Sequence, residues 1–376
     1  MRSVKVLHCA DVHIGACESF LGSKAKQRQA ETLRTFQRIV DTAKEENVQI
    51  FLISGDLFDS LDIEYSYIRE VLSSISSAPE IKFFYSAGNH DPYTPDAPFR
   101  KAVTPQNLYI FDTKDSVFSF EDIGVRVYGR SFKEVYDKGE EIFSLVPPED
   151  DFINIMCIHG ELTSDRNSQY CPITQQFIKE SGMDYIALGH IHKCTDIGKL
   201  GKTNFAYCGC PEGQGFDESG KKGVLLGNIS KSGAQLSFVP QSLRMHIVES
   251  VDITGAVSAA EVSEKITAQL SDGYGEKYAD NLYKIVLSGT SPESGINCDE
   301  IAARLSETLY FVKLKDKTAP ETDLSVLSKE PSLKGIFVKK MLEKIESADE
   351  SQKAVMTDAL YLGLKAFSTE VTYGED

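Results

Sequence analysis

Val48-Gln49-Ile50-Phe51-Leu52-Ile53-Ser54-Gly55-Asp56-Leu57-Phe58-Asp59 is an apolar run that breaks at a glycine and then presents two carboxylates. A strand apolar on both faces belongs inside a layered α/β sheet, where both faces are covered. Ligands of such sheets gather beyond the carboxyl ends of the strands, which is where Asp56 falls. The same pattern recurs outward from this stretch. Strand-like residues 4–9 lead into Asp11-Val12-His13, and 81–86 into Gly88-Asn89-His90-Asp91. Residues 152–158 lead into His159-Gly160-Glu161, and 185–188 into Gly189-His190-Ile191-His192. Five of the seven histidines lie in these motifs, so they track strand ends rather than scatter over a surface. Between the strands, residues 27–47 read as an amphipathic helix with Leu33, Phe36, Ile39, Val40 and Ala43 on one face. Residues 64–77 read as a second helix, stopped by Pro79.

Asp, Asn and His are the donors that two adjacent divalent cations need. Cations about 3.5–4 Å apart can clamp a phosphate and activate a water for in-line attack. Asp56, on the turn that Gly55 permits, is assigned as the bridging ligand. Asp11, His13 and His192 complete one site, and Asn89, His159 and His190 the other. The spacing of His190 and His192 puts both imidazoles on one side of an extended segment. Mixed nitrogen and oxygen ligation suits manganese, iron or zinc better than calcium; manganese is favoured, with magnesium also compatible. His90 is read as a catalytic donor to the phosphate or the leaving oxygen, with Asp91 orienting its ring. Asp59 is left between two roles, positioning a ligand loop or capping the next helix. His8 and His246 are read as structural. Singly the motifs are weak: Asp-x-His is common, and Gly-Asn-His-Asp suits a turn. Five in this order, each after a strand, are not explained that way.

The bulk numbers set limits. With 376 residues the chain can hold one large core and smaller units. It has no apolar run of 18 residues, so no membrane span is expected. Cleaving a leader would destroy the first strand and its motif, which argues against secretion. The eight cysteines form no regular framework and are read as reduced thiols of a cytoplasmic protein. The net charge of −16 disfavours a stand-alone nucleic-acid binder unless cations or a basic partner supply positive charge. The expected organisation is a metal-binding domain over 1–240, a small α/β unit over 244–316, a polar linker over 317–331 and two helices within 332–376.

Taken in order, D-x-H, G-D-x-x-D, G-N-H-D, H-G-E and G-H-x-H resemble the calcineurin-like metallophosphoesterase signature over roughly residues 4–240. Residues 9–15, 55–59 and 189–193 are similar to the SbcD-type DNA repair exonucleases, and 208–218 resembles the Pro-Glu loop that follows their metal motifs. Asp59 stands where archaeal and eukaryotic relatives often carry His, and where bacterial ones commonly carry Asp. The resemblance implies a four-layer α/β/β/α sandwich with a capping domain and C-terminal helices. It implies a two-metal DNA exo- or endonuclease whose C-terminal helices dock on an SbcC-like coiled-coil ATPase. A homodimer is compatible with it. Two rival readings are a small-molecule phosphodiesterase or phosphatase with the same centre, and a non-catalytic scaffold. The complete ligand set counts against the scaffold.

Overall fold

The structure is a computed structural model. It describes residues 2–114, 116–139, 147–165, 167–292, 295–321 and 324–367. Contacts divide it into two units, Met1–His246 and Ile247–Asp376.

The first unit contains, in chain order, β1 (Ser3–Cys9), α1 (Ala25–Glu45), β2 (Ile50–Ile53), α2 (Tyr65–Ser76), β3 (Lys82–Tyr85), β4 (Leu108–Ile110), β5 (Ser116–Phe120) and β6 (Val125–Arg130). It continues with β7 (Ile153–His159), α3 (Gln175–Glu180), β8 (Tyr185–Gly189), β9 (Gly198–Leu200), β10 (Thr203–Tyr207), β11 (Gly223–Ser230) and β12 (Gly233–Pro240). One six-stranded sheet runs β12-β11-β1-β2-β3-β4, and the other β5-β6-β7-β8-β10-β9. β1 to β4 are mutually parallel, as are β6, β7, β8 and β10.

Side-chain alternation along these strands produces the layers. Leu7, Cys9, Phe51, Ile53 and Phe83 pack with Phe36, Ile39 and Val71 of α1 and α2. Their neighbours Val6, Ile50, Leu52 and Phe84 point the other way, onto Val127, Ile155, Cys157, Tyr185 and Ala187 of the second sheet. The outer face of that sheet, Met156, Ile158, Ile186 and Leu188, meets Ile178 of α3. The result is the expected helix–sheet–sheet–helix sandwich. Fully burying each large side chain of this kind contributes roughly 1.5–3 kcal/mol, so the double-sided apolar strands are the main reason the layers hold.

The second unit contains β13 (His246–Asp252), α4 (Ala259–Tyr274), β14 (Leu282–Ser288), β15 (Thr290–Ser291), α5 (Cys298–Ser306), β16 (Phe311–Asp316), β17 (Ala319–Pro320), α6 (Leu324–Leu327), α7 (Leu333–Ser347) and α8 (Glu350–Ala366). β13, β14 and β16 form its sheet. The region read as a linker is not free chain. Its Ala319–Pro320 pairs with Thr290–Ser291, and Leu327 is buried with Val338, Leu360 and Leu364. The division between the units falls after His246, the first residue of β13. No helix of the described residues is long and apolar enough to cross a membrane.

Candidate metal centre

The loops after β1, β2, β3, β7 and β8 converge. Asp11 N–H donates to the Gly55 carbonyl, and His13 N–H to the Asp56 carbonyl, each at 3.0 Å, so the first two loops are zipped together. The Asp91 carboxylate accepts from Phe58 N–H at 2.9 Å and Gly88 N–H at 2.8 Å, which ties the third loop to the second. Across the sandwich, the Ser54 carbonyl accepts from His159 Nδ1 at 2.9 Å. A Cβ on Gly55 would strike the His159 ring, and the φ of Gly55 is +90°. A Cβ on Gly88 would strike the Asp56 carboxylate. These two motif glycines are therefore required by close approach.

The backbone is strained where the donors sit. Among the described residues, six non-glycine residues have positive φ, and four are Asp11 (51°), His13 (48°), Asp56 (48°) and His190 (103°). Each such conformation costs about 1–3 kcal/mol, a cost that recurs where geometry serves a site rather than stability.

Asp11, His13, Asp56, Asn89 and His159 are all buried. Ligand atoms of Asp11, His13 and His192 lie within 4.8 Å of one another, as do those of Asp11, Asp56 and His159. Asp56 Oδ2 is 3.8 Å from His13 Nε2 and 3.3 Å from His159 Nε2, between the two groups. Asn89 Oδ1 is 2.9 Å from His159 Nε2.

Cations fit this arrangement because of how the imidazoles are held. His13 Nδ1 lies 3.2 Å from Asp59 Oδ1, His159 Nδ1 faces the Ser54 carbonyl, and His192 Nδ1 lies 2.5 Å from Glu218 Oε1. Each acceptor fixes the proton on Nδ1 and leaves an Nε2 lone pair turned inward. His13 Nε2 and His192 Nε2 then face each other at 3.2 Å, two lone pairs that need a proton or a cation between them. A divalent cation resolves that conflict. It also compensates Asp11 and Asp56, whose ion-pair partners among the described residues are imidazoles.

The protonation behaviour agrees. Burial pushes the Asp11 carboxyl up. Burial acts on Asp56 too, but the imidazoles of His159, His13 and His90 outweigh it and hold that carboxyl well below its ordinary value. Burial opposes a charge on His159, yet Asp56 and Asp11 lift it to about 9. Without cations the carboxylates recruit protons onto the rings; cations replace those protons.

His190, the remaining expected ligand, lies beside the His159 donor. Its N–H donates to Asp11, but its ring lies edge-on to His159 at 5.2 Å and stacks on Tyr170 at 4.8 Å. It is not in the converging His/Cys/Asp/Glu groups found among the described residues. Burial, with His159 beside it, pushes its pKa down to about 4, so it is neutral near pH 7.

His90 sits at the mouth, its side chain 46% exposed, with its ring edge-on to His13 at 4.7 Å. Its atoms also converge with those of His13 and Asp56. The expected pairing with Asp91 is corrected: Asp91 faces inward and holds two backbone amides. His90 Nδ1 instead lies 3.0 Å from the Asp59 carbonyl, leaving Nε2 open. Asp59 thus steadies two histidines, one through its side chain and one through its backbone. His8 is buried with Nδ1 2.9 Å from the Tyr185 hydroxyl, a core role. His246 is buried against Glu18 at 2.9 Å, also structural. Sequence reasoning did not single out Glu218, since nothing in Phe216-Asp217-Glu218 separates it from Asp217.

Comparison with known proteins agrees with this site. The family model for calcineurin-like phosphoesterase matches residues 4–194, just over half of the chain. Over 93% of its length the chain is 25% identical to the uncharacterized metallophosphoesterase YhaO of Bacillus subtilis, covering 89% of that protein. It is 24% identical to the DNA double-strand break repair protein Mre11 of Sulfurisphaera tokodaii, over 96% of this chain and 93% of the relative. For the Mre11 of Methanopyrus kandleri the figures are 22%, 87% and 76%. Among solved structures, the calcineurin-like phosphoesterase YfkN from Bacillus subtilis matches with a TM-score of 0.38 and 15% identity, over 72% of this chain and 97% of that one. The strand-end donors and the family match lead to one conclusion: the chain belongs to the calcineurin-like phosphoesterases, hydrolases of phosphoester bonds that bind two divalent metals.

Proposed function

We propose that the chain is a metal-dependent DNA phosphodiesterase, cutting as an exo- or endonuclease within a DNA repair complex with a coiled-coil ATPase. The observation that carries this is the conjunction of a two-cation donor set with likeness, along most of the chain, to relatives named as DNA double-strand break repair proteins. Manganese is the favoured cation, given the nitrogen-rich ligation.

Two cations held by Asp11, His13, Asp56, Asn89, His159, His190 and His192 would supply Lewis acidity and a nucleophile of lowered pKa. The residues do the rest. Asp59, Ser54 and Glu218 keep each Nε2 lone pair turned inward. His90 keeps Nδ1 on the Asp59 carbonyl and, when protonated, offers Nε2–H to the leaving oxygen. The His190 ring, neutral near pH 7, has an unprotonated nitrogen to offer a cation.

The ATPase partner is supported by apolar side chains on the last two helices. Leu333 is 74% exposed and Val355 68% exposed, and Ile336 and Leu362 are also open. Such a face suits a helix-in-groove or coiled-coil contact.

The charge of −16 favours a second reading, hydrolysis of a small phosphoester. Purified protein with manganese should cut linear DNA and circular single-stranded DNA, as well as a generic phosphodiester. Asp56→Asn should lose bound metal and all three activities. Hydrolysis of the generic ester with DNA left intact would sink the nuclease reading and favour the small-molecule one.

A further inference from the structure

A line of rings leads from the buried centre to the surface. His159 lies edge-on to His190 at 5.2 Å, His190 stacks on Tyr170 at 4.8 Å with 26° between planes, and Tyr170 meets Tyr136 at 5.9 Å. His159 is fully buried, whereas Tyr136 is 57% exposed. The outer tyrosine is not placed by core packing. It is held by a rigid backbone tie instead: Asp137 N–H donates to the Gln169 carbonyl at 2.8 Å, and Cys171 N–H to the Asp137 carbonyl at 2.7 Å. Arg130 Nη2 is 2.9 Å from both Asp137 oxygens, a buried pair that anchors the turn from beneath. Cys171, directly after Tyr170, has a strained φ of 47°. Strain beside a ring that touches a metal-site histidine is a cost that folding alone does not explain.

Around Tyr136 lies a depression of 380 Å³ lined by Lys133, Glu134, Asp137, Lys138 and Gln169. Arg130 neutralises Asp137, so among the described lining residues the exposed Lys133 and Lys138 outnumber Glu134. Flat aromatic surface beside Lys side chains is how proteins hold unpaired nucleotides, because every base has a π face and every phosphate a charge.

We infer that Tyr136 and Tyr170 form a stacking platform for an unpaired nucleobase of the strand whose phosphate enters the metal centre. This rests on the proposed phosphodiesterase reading and deepens it: the substrate would be a nucleotide or single-stranded end rather than an arbitrary phosphoester. Tyr170 joins the platform to His190, so the base is held in fixed relation to the centre.

The test uses the full chain in chelator, where nothing is cut. A short single-stranded DNA carrying 2-aminopurine should be quenched on binding, and the same strand with abasic residues should bind more weakly. Tyr136→Ala should weaken binding of the base-bearing strand about tenfold or more and erase its advantage over the abasic strand. Tyr136→Phe should keep both. Tyr136 is exposed, so its replacement does not threaten the fold, whereas Tyr170→Ala also removes the contact to His190. Equal affinity of wild-type protein for the two strands, or an unchanged Tyr136→Ala, overturns the platform even if DNA is cut. Base-dependent binding with no cleavage of DNA under manganese leaves the platform standing as a nucleotide site and removes the nuclease reading instead.

Discussion

At the scale of single residues, donors and orienters divide the work. The donors were legible because they follow strands in short motifs. Their supports were less so, because each acts far along the chain: Asp59, open between two roles in the sequence, acts on His13 across 46 positions, and Glu218, not singled out, acts on His192 across 26. The misassignment of Asp91 has the same origin, since adjacency to His90 says nothing about which way a carboxylate turns. His90, open at Nε2 and outside the deepest donor groups, should be separable from metal binding. His90→Ala is expected to retain both metals and to lower turnover by about 10²–10⁴, the usual scale for a lost acid–base group. Metal content falling as far as activity would make His90 a ligand. The pH dependence follows from His159, lifted from 6.5 to about 9 without cations. A raised folded-state pKa stabilises metal-free protein fully below pH 6.5 and loses that contribution as pH rises through 9. Cations require the deprotonated ring, so the opposite sign holds for loading: affinity should climb about tenfold per pH unit toward pH 9, with a proton released on binding. Calorimetry in buffers of different ionisation enthalpy would detect that proton, and pH-independent affinity would refute its origin in His159.

At the scale of elements, the apolar strands and amphipathic helices were legible from periodicity; β1, β2, β3, β7 and β8 lie where the sequence places them, within a residue or two at each end. The edge strands β4, β5 and β9, the inner strands β6 and β10 and the six-residue α3 were not read. β5, Ser116–Phe120, alternates between half-buried and exposed, and α3 is less than two turns long. Such elements form because neighbours already present a register or a face, which a local window cannot see. The loop after β10 has a comparable dependence. Glu218 on that loop accepts from Gln214 N–H at 2.9 Å as well as meeting His192, and its contact with the imidazole holds its carboxyl down, at about 2, against burial. The loop therefore delivers a charged acceptor to one metal ligand. Glu218→Gln should weaken binding of the cation at His192 by about 10–100-fold, with Glu218→Asp restoring part of it. Competitive chelator titration of both variants reads this without turnover, and unchanged affinity in Glu218→Gln would reduce the residue to a loop support.

At the scale of the whole molecule, the acidic balance and the last two helices pose one joint question. Apolar spacing along these helices marks two faces at once. Phe337, Met341 and Ile345 pack around Val338, Leu360 and Leu364, while Leu333, Ile336, Val355 and Leu362 are open. A helical stripe can be read from spacing, but which of two stripes meets its neighbour is decided by packing. The buried cluster uses one face of each helix and leaves the other with large apolar groups in water, where a partner helix would remove them. A chain of net charge −16 gains grip on a polyanion if that partner brings the basic track, so docking and DNA binding should be linked. Ile336→Glu combined with Leu362→Glu alters only open positions and should change stability by less than about 1 kcal/mol. It should leave manganese-dependent cleavage of a generic phosphodiester intact and abolish co-purification with a coiled-coil ATPase from the same organism. In the wild-type complex, DNA affinity should fall more steeply with salt than for the chain alone, because more phosphate contacts release more counterions. If the double variant still binds the ATPase equally well, or the salt slopes of complex and chain coincide, the exposed face serves something other than a DNA-gripping partner.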